Sequence, residues 1–560
     1  MNNQSVPFAG TFCRAIPPAM KIRWGGLIVH ARGVFEPLNL EPCVSAFICG
    51  SYVLSRYNPK SMTVARPTKE SKEETKPRHS RLRLDRHDGL ALLALLAGLF
   101  IVYAPILLIP YAYSDDYFWL DNILLKHWHI FPGLAAQGRP INALILQWVF
   151  RQSGGLGGLA WVRALTITEM AGLGWLFYIA LVRCGWGRVN SCLLAGLGCT
   201  MPAFQVHTMW ATSVPVPWSG ICAVAAAILT GWSCDRWPGR WPGLIAAAIL
   251  ILIASSIYQP AAMLFWPVAA LDSFSGRDEK FFRRIAIYTL VGFAGIFLGW
   301  LVYEYGIHKY PGWVRPNRNG MTLDLPGKFL GFIKYPLVDA LSIAGIQPRP
   351  MLSIAMGVVI AVGLLCHFTG STLRRAICLC ISAALLPLAY LPVLIAKQEL
   401  WDFRTHIALD WMVLVLLWLA ASGYWRLLGR NGGIPRPLVA IATCGVAISA
   451  AYHVTALIAW PQSIEQSMLR LALAQPDAMA ARQIIFIMPT IADTPAPYCR
   501  FEFGCPSTSH LWVPEAAVNL IRRQMGMESF RMPVKMVSDW TQKLPAGAVV
   551  IDMREMGIHE

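Results

Sequence analysis

From residue 89 onward the chain alternates between long apolar blocks and short loops rich in Arg, Pro and Gly. A helix needs roughly 20 apolar residues to cross the hydrocarbon core. The blocks predict eleven spans: 89–111, 159–182, 190–208, 214–233, 242–258, 259–272, 284–303, 351–369, 376–396, 405–424 and 437–460. The division inside 242–272 rests on "SSIYQP", where Pro260 opens a new segment. "GRPINALILQWVF", 138–150, is too short to span and is read as a juxtamembrane or re-entrant helix.

Loop charge supports this order. "RCGWGR", "DRWPGRWPG", "SGRDEKFFRR", "STLRR" and "WRLLGRNGGIPR" fall on one side and each carries at least two basic residues. With the basic stretch "RLRLDRH" in the cytoplasm, the positive-inside rule is met. The segment after the first span, the 304–350 segment and the tail 461–560 then share the opposite, extracytoplasmic side. The tail alternates helix-like and strand-like stretches, "SIEQSMLRLALAQ", "QIIFIM", a helix near 514–525 and "AGAVVIDMR". It predicts a small α/β domain. Residues 1–87 form a basic, disordered cytoplasmic appendage in this reading, with 14 Lys and Arg against 6 Asp and Glu. Met62 is a candidate alternative start. The fold class expected is therefore an all-α polytopic membrane protein, 88–460, with a C-terminal α/β domain, 461–560.

Composition agrees. Apolar residues make up 56% of the 560 and charged residues only 14%, against about 25% charged in soluble domains. Mean hydropathy is +0.48. The net charge of +17 sits in the N-terminal segment and short loops, so it reads as topology signal and not as a nucleic-acid surface. The 14 Cys show no metal-ligand spacing. Cys499 and Cys505 lie in the polar tail, where an extracytoplasmic disulfide can form.

One motif does not reduce to topology. "YAYSDDYFWLDN", 111–122, puts Asp115 and Asp116 at the mouth of the first span. Ser-Asp-Asp before an apolar helix is a good N-terminal cap. The same carboxylates also stand at the boundary of lipid and water, where a base can take a proton from an attacking hydroxyl. Glu169 lies near the middle of span 159–182, a costly place for a lone charge, where it can pair with Arg163 or be neutral.

"SDDYFWL" after the first span, "GRP" about twenty residues later and "SSIYQP" at a later span resemble the integral-membrane GT-C glycosyltransferases. The likeness is to bacterial and phage-type O-antigen glucosyltransferases that use polyprenyl-phosphate sugars. It covers the layout of residues 89–460, with specific matches in those three motifs only. It implies transfer of a sugar from a polyprenyl-phosphate donor to a glycan or lipid acceptor, at the periplasmic face of a bacterial inner membrane. It implies Asp115 or Asp116 as general base. Asp115 is favoured, with Asp116 orienting the acceptor or binding a cation, and the reverse order stays open. The leaving phosphate needs cationic partners. Arg139, Arg404, His406, Lys309, Arg315 and Arg318 are the candidates, although external cations also snorkel to lipid phosphates. Tyr258 and Gln259 could bind sugar hydroxyls or cap a helix turn. No cofactor is required, and one divalent ion (Mg or Mn) could sit on the acidic pair. The competing expectations are a transporter or lipid-linked-glycan flippase, a glycan polymerase or ligase, and a scaffold whose tail binds a partner.

Overall fold

The computed structural model describes residues 22–24, 27–29, 85–126, 129–235, 241–275, 281–314, 320–429, 434–527, 531–540 and 544–554. The chain divides into two units, 1–71 with 558–560, and 72–557. In the first, Ile22–Trp24 and Leu27–Val29 pair as an antiparallel hairpin with Trp24 opposite Leu27. This hairpin falls inside the segment expected to be disordered. The charged stretch up to residue 84 lies outside the described residues.

The second unit is mostly helical. Among the described residues, six helices are long and apolar enough to cross a membrane: Leu156–Arg183, Ala211–Asp235, Phe281–Lys309, Pro350–His367, Ile407–Leu427 and Arg436–Leu473. A seventh candidate is the pair Arg188–Gly198 and Pro202–Met209, bent by 63°. The other four expected spans are built from helices of at most 17 residues. Arg86–Val102 gives way to Ala104–Leu108 at Pro105. Trp241–Ile257 stops before Gln259–Ala262, with Pro260 in its first turn, and Phe265–Ser275 follows. Thr372–Leu388 ends one residue past Pro387, and Leu391–Ile395 follows. Proline removes a backbone donor and clashes with the preceding turn, so each apolar block breaks there. The short segment at 138–150 forms the 14-residue helix Pro140–Ser153.

Helix Ile407–Leu427 is largely buried, and its Trp411 reaches both Leu156–Arg183 and Arg188–Gly198. Trp411 stacks on Phe177 with ring centroids 3.5 Å apart. A Cβ on Gly198 would lie 2.2 Å from the Trp411 ring, so only glycine allows this approach.

The tail leaves the last long helix and forms a three-stranded parallel sheet, with Gln483–Ile487 between Val534–Val537 and Ala548–Asp552. Helix Pro514–Gln524 covers it, and Ile484 and Phe486 share a buried cluster with Val518, Ile521 and Leu469. Val534–Val537 was not foreseen. "VKMV" is four residues long, follows a proline, and carries exposed Lys535, as edge strands do.

Candidate functional site

The first loop is shaped by its contacts with the tail. Ser114 holds φ at 41°, rare for a side-chain-bearing residue. Its N–H donates to Ser507 Oγ at 2.8 Å. Helix Asp115–Leu120 starts at once, and adjacent residues on a helix diverge by about 100°. The two carboxylates therefore part company.

Asp116 points into the protein and is fully buried. Its Oδ2 accepts from the Tyr113 N–H at 3.1 Å and from Arg163 Nη2 at 3.2 Å, and its Oδ1 accepts from the Thr212 N–H at 3.0 Å. Burial raises its pKa while Arg163 and the backbone donors oppose the shift. Arg163 also donates to the Met209 and Tyr111 carbonyls. One expectation is corrected here, the pairing of Glu169 with Arg163. Both Asp116 oxygens accept hydrogen bonds from within the protein. Arg163 serves Asp116 and not Glu169, whose Oε1 instead accepts from Trp218 Nε1 at 2.7 Å.

Asp115 points the other way and is half-buried. Its Oδ1 accepts from the Trp512 indole N–H at 3.0 Å. Trp512 stacks on His510 at 4.8 Å with planes 11° apart. Burial lowers the His510 pKa, and the charges of Asp115 and Asp402 pull it back up.

The "GRP" and "YQP" motifs meet. Arg139 Nε donates to Gln259 Oε1 at 2.9 Å, and its guanidinium lies 4.8 Å from the Tyr258 ring centre. Gln259 Nε2 donates to the Gln137 and Gly138 carbonyls. Gly138 has φ of +73° and a Cβ there would press on Tyr303 and on Gln259 itself, which explains the glycine.

Tyr258 carries the connection onward by donating its hydroxyl to the Arg404 carbonyl at 3.1 Å. The Arg404 guanidinium pairs with Asp402 at 2.7 Å and lies 3.6 Å from Glu502. It stands 5.4 Å from the Trp210 ring centre. Glu502 also accepts the backbone N–H groups of Phe403 and Arg404. Burial, with Asp402 adding to it, pushes the Glu502 carboxyl up to about 8 against the pull of Arg404. Glu502 sits in a loop closed by the Cys499–Cys505 disulfide. The loop is pinned by Arg500, whose Nη2 donates to both Asp339 oxygens at 2.6 and 2.7 Å.

Among the described residues, the side chains of two expected residues, His406 and Lys309, make no hydrogen bond or ion pair with these clusters. His406 is fully buried, with its ring edge-on to Tyr390 and Phe403. Lys309 is exposed at the end of Phe281–Lys309. Arg315 and Arg318 lie outside the described residues. Sequence reasoning missed Asp402, Glu502, His510 and Trp512. The signal available was faint: a lone acid between two cysteines in "CRFEFGC", and "SHLW" just beyond it. Among the described residues, no group of three or more His, Cys, Asp or Glu is placed to hold a metal.

No family model matches the chain, and a search of characterised proteins returned no significant match.

Proposed function

We propose that the chain is a GT-C-like membrane glycosyltransferase with about eleven membrane passages. It moves a hexose from a polyprenyl-phosphate donor to a glycan or lipid acceptor such as O-antigen, at the periplasmic face of a bacterial inner membrane. The observation that carries this reading is that one tail reaches both groups: its Trp512 donates to the half-buried carboxylate of Asp115, and its Glu502 lies 3.6 Å from Arg404.

In this reaction the acceptor hydroxyl attacks the sugar carbon that bears the phosphate, and Asp115 takes the hydroxyl proton. The bond to the phosphate oxygen breaks, and the lipid phosphate leaves with the electron pair. Arg404, with Arg139 beside Tyr258, stabilises the charge that develops there. Arg404 is already drawn on by Asp402. Glu502 in its neutral form, below about pH 8, competes less for the same guanidinium. The pairing of Asp116 with Arg163 holds Asp115 in place from behind.

The test is mass spectrometry of surface glycans from a strain lacking the gene, complemented with wild type or Asp115→Asn at matched membrane levels. Wild type should restore a hexose-sized increment and Asp115→Asn should not. Equal restoration by both proteins ends the reading.

A carrier for a lipid-linked glycan is the second reading. It is favoured by the 63° break between Arg188–Gly198 and Pro202–Met209 and by buried Glu169 inside a long apolar helix. Movement of a labelled lipid-linked sugar across vesicles with no new glycosidic bond would support it over the transferase.

A further inference from the structure

Helix Leu325–Lys334 is inside out for a surface exposed to water. Its one inward-facing charged residue, Lys328, is 5% exposed, together with Phe332. Its outward residues are Leu325, Phe329, Leu330 and Ile333, each between 42% and 57% exposed. Just before the helix, Leu323 is 99% exposed. A soluble surface helix turns its charges out and its apolar stripe in. Here the charge is satisfied internally. Lys328 Nζ donates to the Gln398 carbonyl at 2.9 Å and lies 5.3 Å from the Trp401 ring centre.

The outward medium that fits such a helix is apolar. The neighbouring chain points the same way. Helix Pro350–His367 follows it and exposes Met351, Ile354 and Val358, and only 22% of its apolar window is buried inside the protein. At ten residues, Leu325–Lys334 is too short to cross a bilayer. Asp324 caps its start, accepting from the Gly327 N–H at 2.9 Å, and Lys334 ends it. Polar ends around an apolar outward face are what a helix in the plane of the interface requires.

Its inner side grips the strap that carries Arg404. A Cβ on Gly331 would lie 2.7 Å from Trp401, so the glycine admits the indole against the helix. Tyr335 stacks on Trp401 at 6.2 Å, and Phe332 packs on Tyr390 at 5.5 Å. Tyr390 in turn donates to the Leu400 carbonyl at 2.7 Å. Met321 bridges to Ala396 at the start of the strap.

We propose that Leu325–Lys334 is an in-plane membrane helix whose outward face lies among lipid acyl chains, tying the 396–404 strap to the bilayer surface. The inference does not depend on the transferase reading.

The experiment places the photocrosslinker p-benzoylphenylalanine at Phe329 or Leu330 in the full chain, reconstituted in phosphatidylcholine vesicles. Phe293, exposed on the long helix Phe281–Lys309, serves as the lipid-facing reference. Gln475, exposed in the tail, serves as the water-facing one. Lipid adducts are counted by mass spectrometry. Positions 329 and 330 should match Phe293 within about twofold and exceed Gln475 by about tenfold. Adduct levels at the Gln475 baseline would overturn the placement. So would crosslinks from 329 or 330 to a second copy of the chain, which would assign the face to a dimer.

Discussion

The indole N–H of Trp512 donates to Asp115 Oδ1 across 3.0 Å, joining residues 397 positions apart. The tail thus reaches back over the first loop and fixes the orientation of its half-buried carboxylate. If Asp115 is the base, Asp115→Asn should cut transfer by about 10²–10⁴-fold while membrane levels and melting temperature hold. Trp512→Phe keeps an aromatic ring beside His510 and removes only the donor. It should cost about 1 kcal/mol of orientation, roughly fivefold in rate. Comparing the two variants for sugar transfer in membranes checks the order. A Trp512→Phe loss as deep as that of Asp115→Asn would make the tryptophan more than a positioning group.

Asp116 and Arg163 form a fully buried pair, and breaking such a pair from one side leaves a stranded charge. Arg163→Met should destabilise the protein by about 3–5 kcal/mol. The double change Arg163→Met with Asp116→Asn should recover much of that loss, because no bare charge then remains. Thermal unfolding in detergent measures both. A mild effect of Arg163→Met alone would show that the pair is not an anchor.

Glu502 gives a pH prediction. Its folded pKa, about 8, lies above its ordinary value of 4.5. The neutral carboxyl is therefore the form the fold favours. Its contribution to stability is full below pH 4.5 and is lost as pH rises through about 8. The same ionisation adds a second negative charge beside Arg404. Activity should fall on the alkaline side near pH 8, and Glu502→Gln should flatten that limb while keeping the carboxamide in place. A pH–rate profile of the two proteins decides, and an unchanged alkaline limb in the variant would remove Glu502 from the account.

The Cys499–Cys505 link closes the loop that presents Glu502 to Arg404. Closing a loop this short is worth about 2 kcal/mol through the unfolded chain. The double Cys499→Ser, Cys505→Ser variant should lose about that much in stability. It should also shift the alkaline limb just described, since Glu502 would no longer be held. Melting curves with and without reductant supply the first readout, and the pH profile the second.

Much of the architecture was legible in the chain. Six of the expected blocks coincide with long apolar helices, because a run of apolar residues carries its own reason to be helical in lipid. Strands 483–487 and 548–552 and the helix from 514 were also readable from local pattern. The break at Pro260 was readable from "SSIYQP", whereas at Pro105 and Pro387 the pattern of hydropathy runs across the proline.

What the sequence determined by itself was which segments are apolar, where they turn, and that a carboxylate pair stands at the end of the first one. Only the tertiary structure decided what each carboxylate does. Asp115 and Asp116 are neighbours in the chain and look equivalent, yet the helical turn between them sends one to Arg163 and the other to Trp512. Likewise Arg404 and His406 are two residues apart, and one reaches the cluster while the other packs against Tyr390. Partners 47 and 397 positions away select the roles of the two aspartates. Hydropathy acts along the chain, whereas ion pairs and hydrogen bonds form only between groups that folding has brought within about 3 Å.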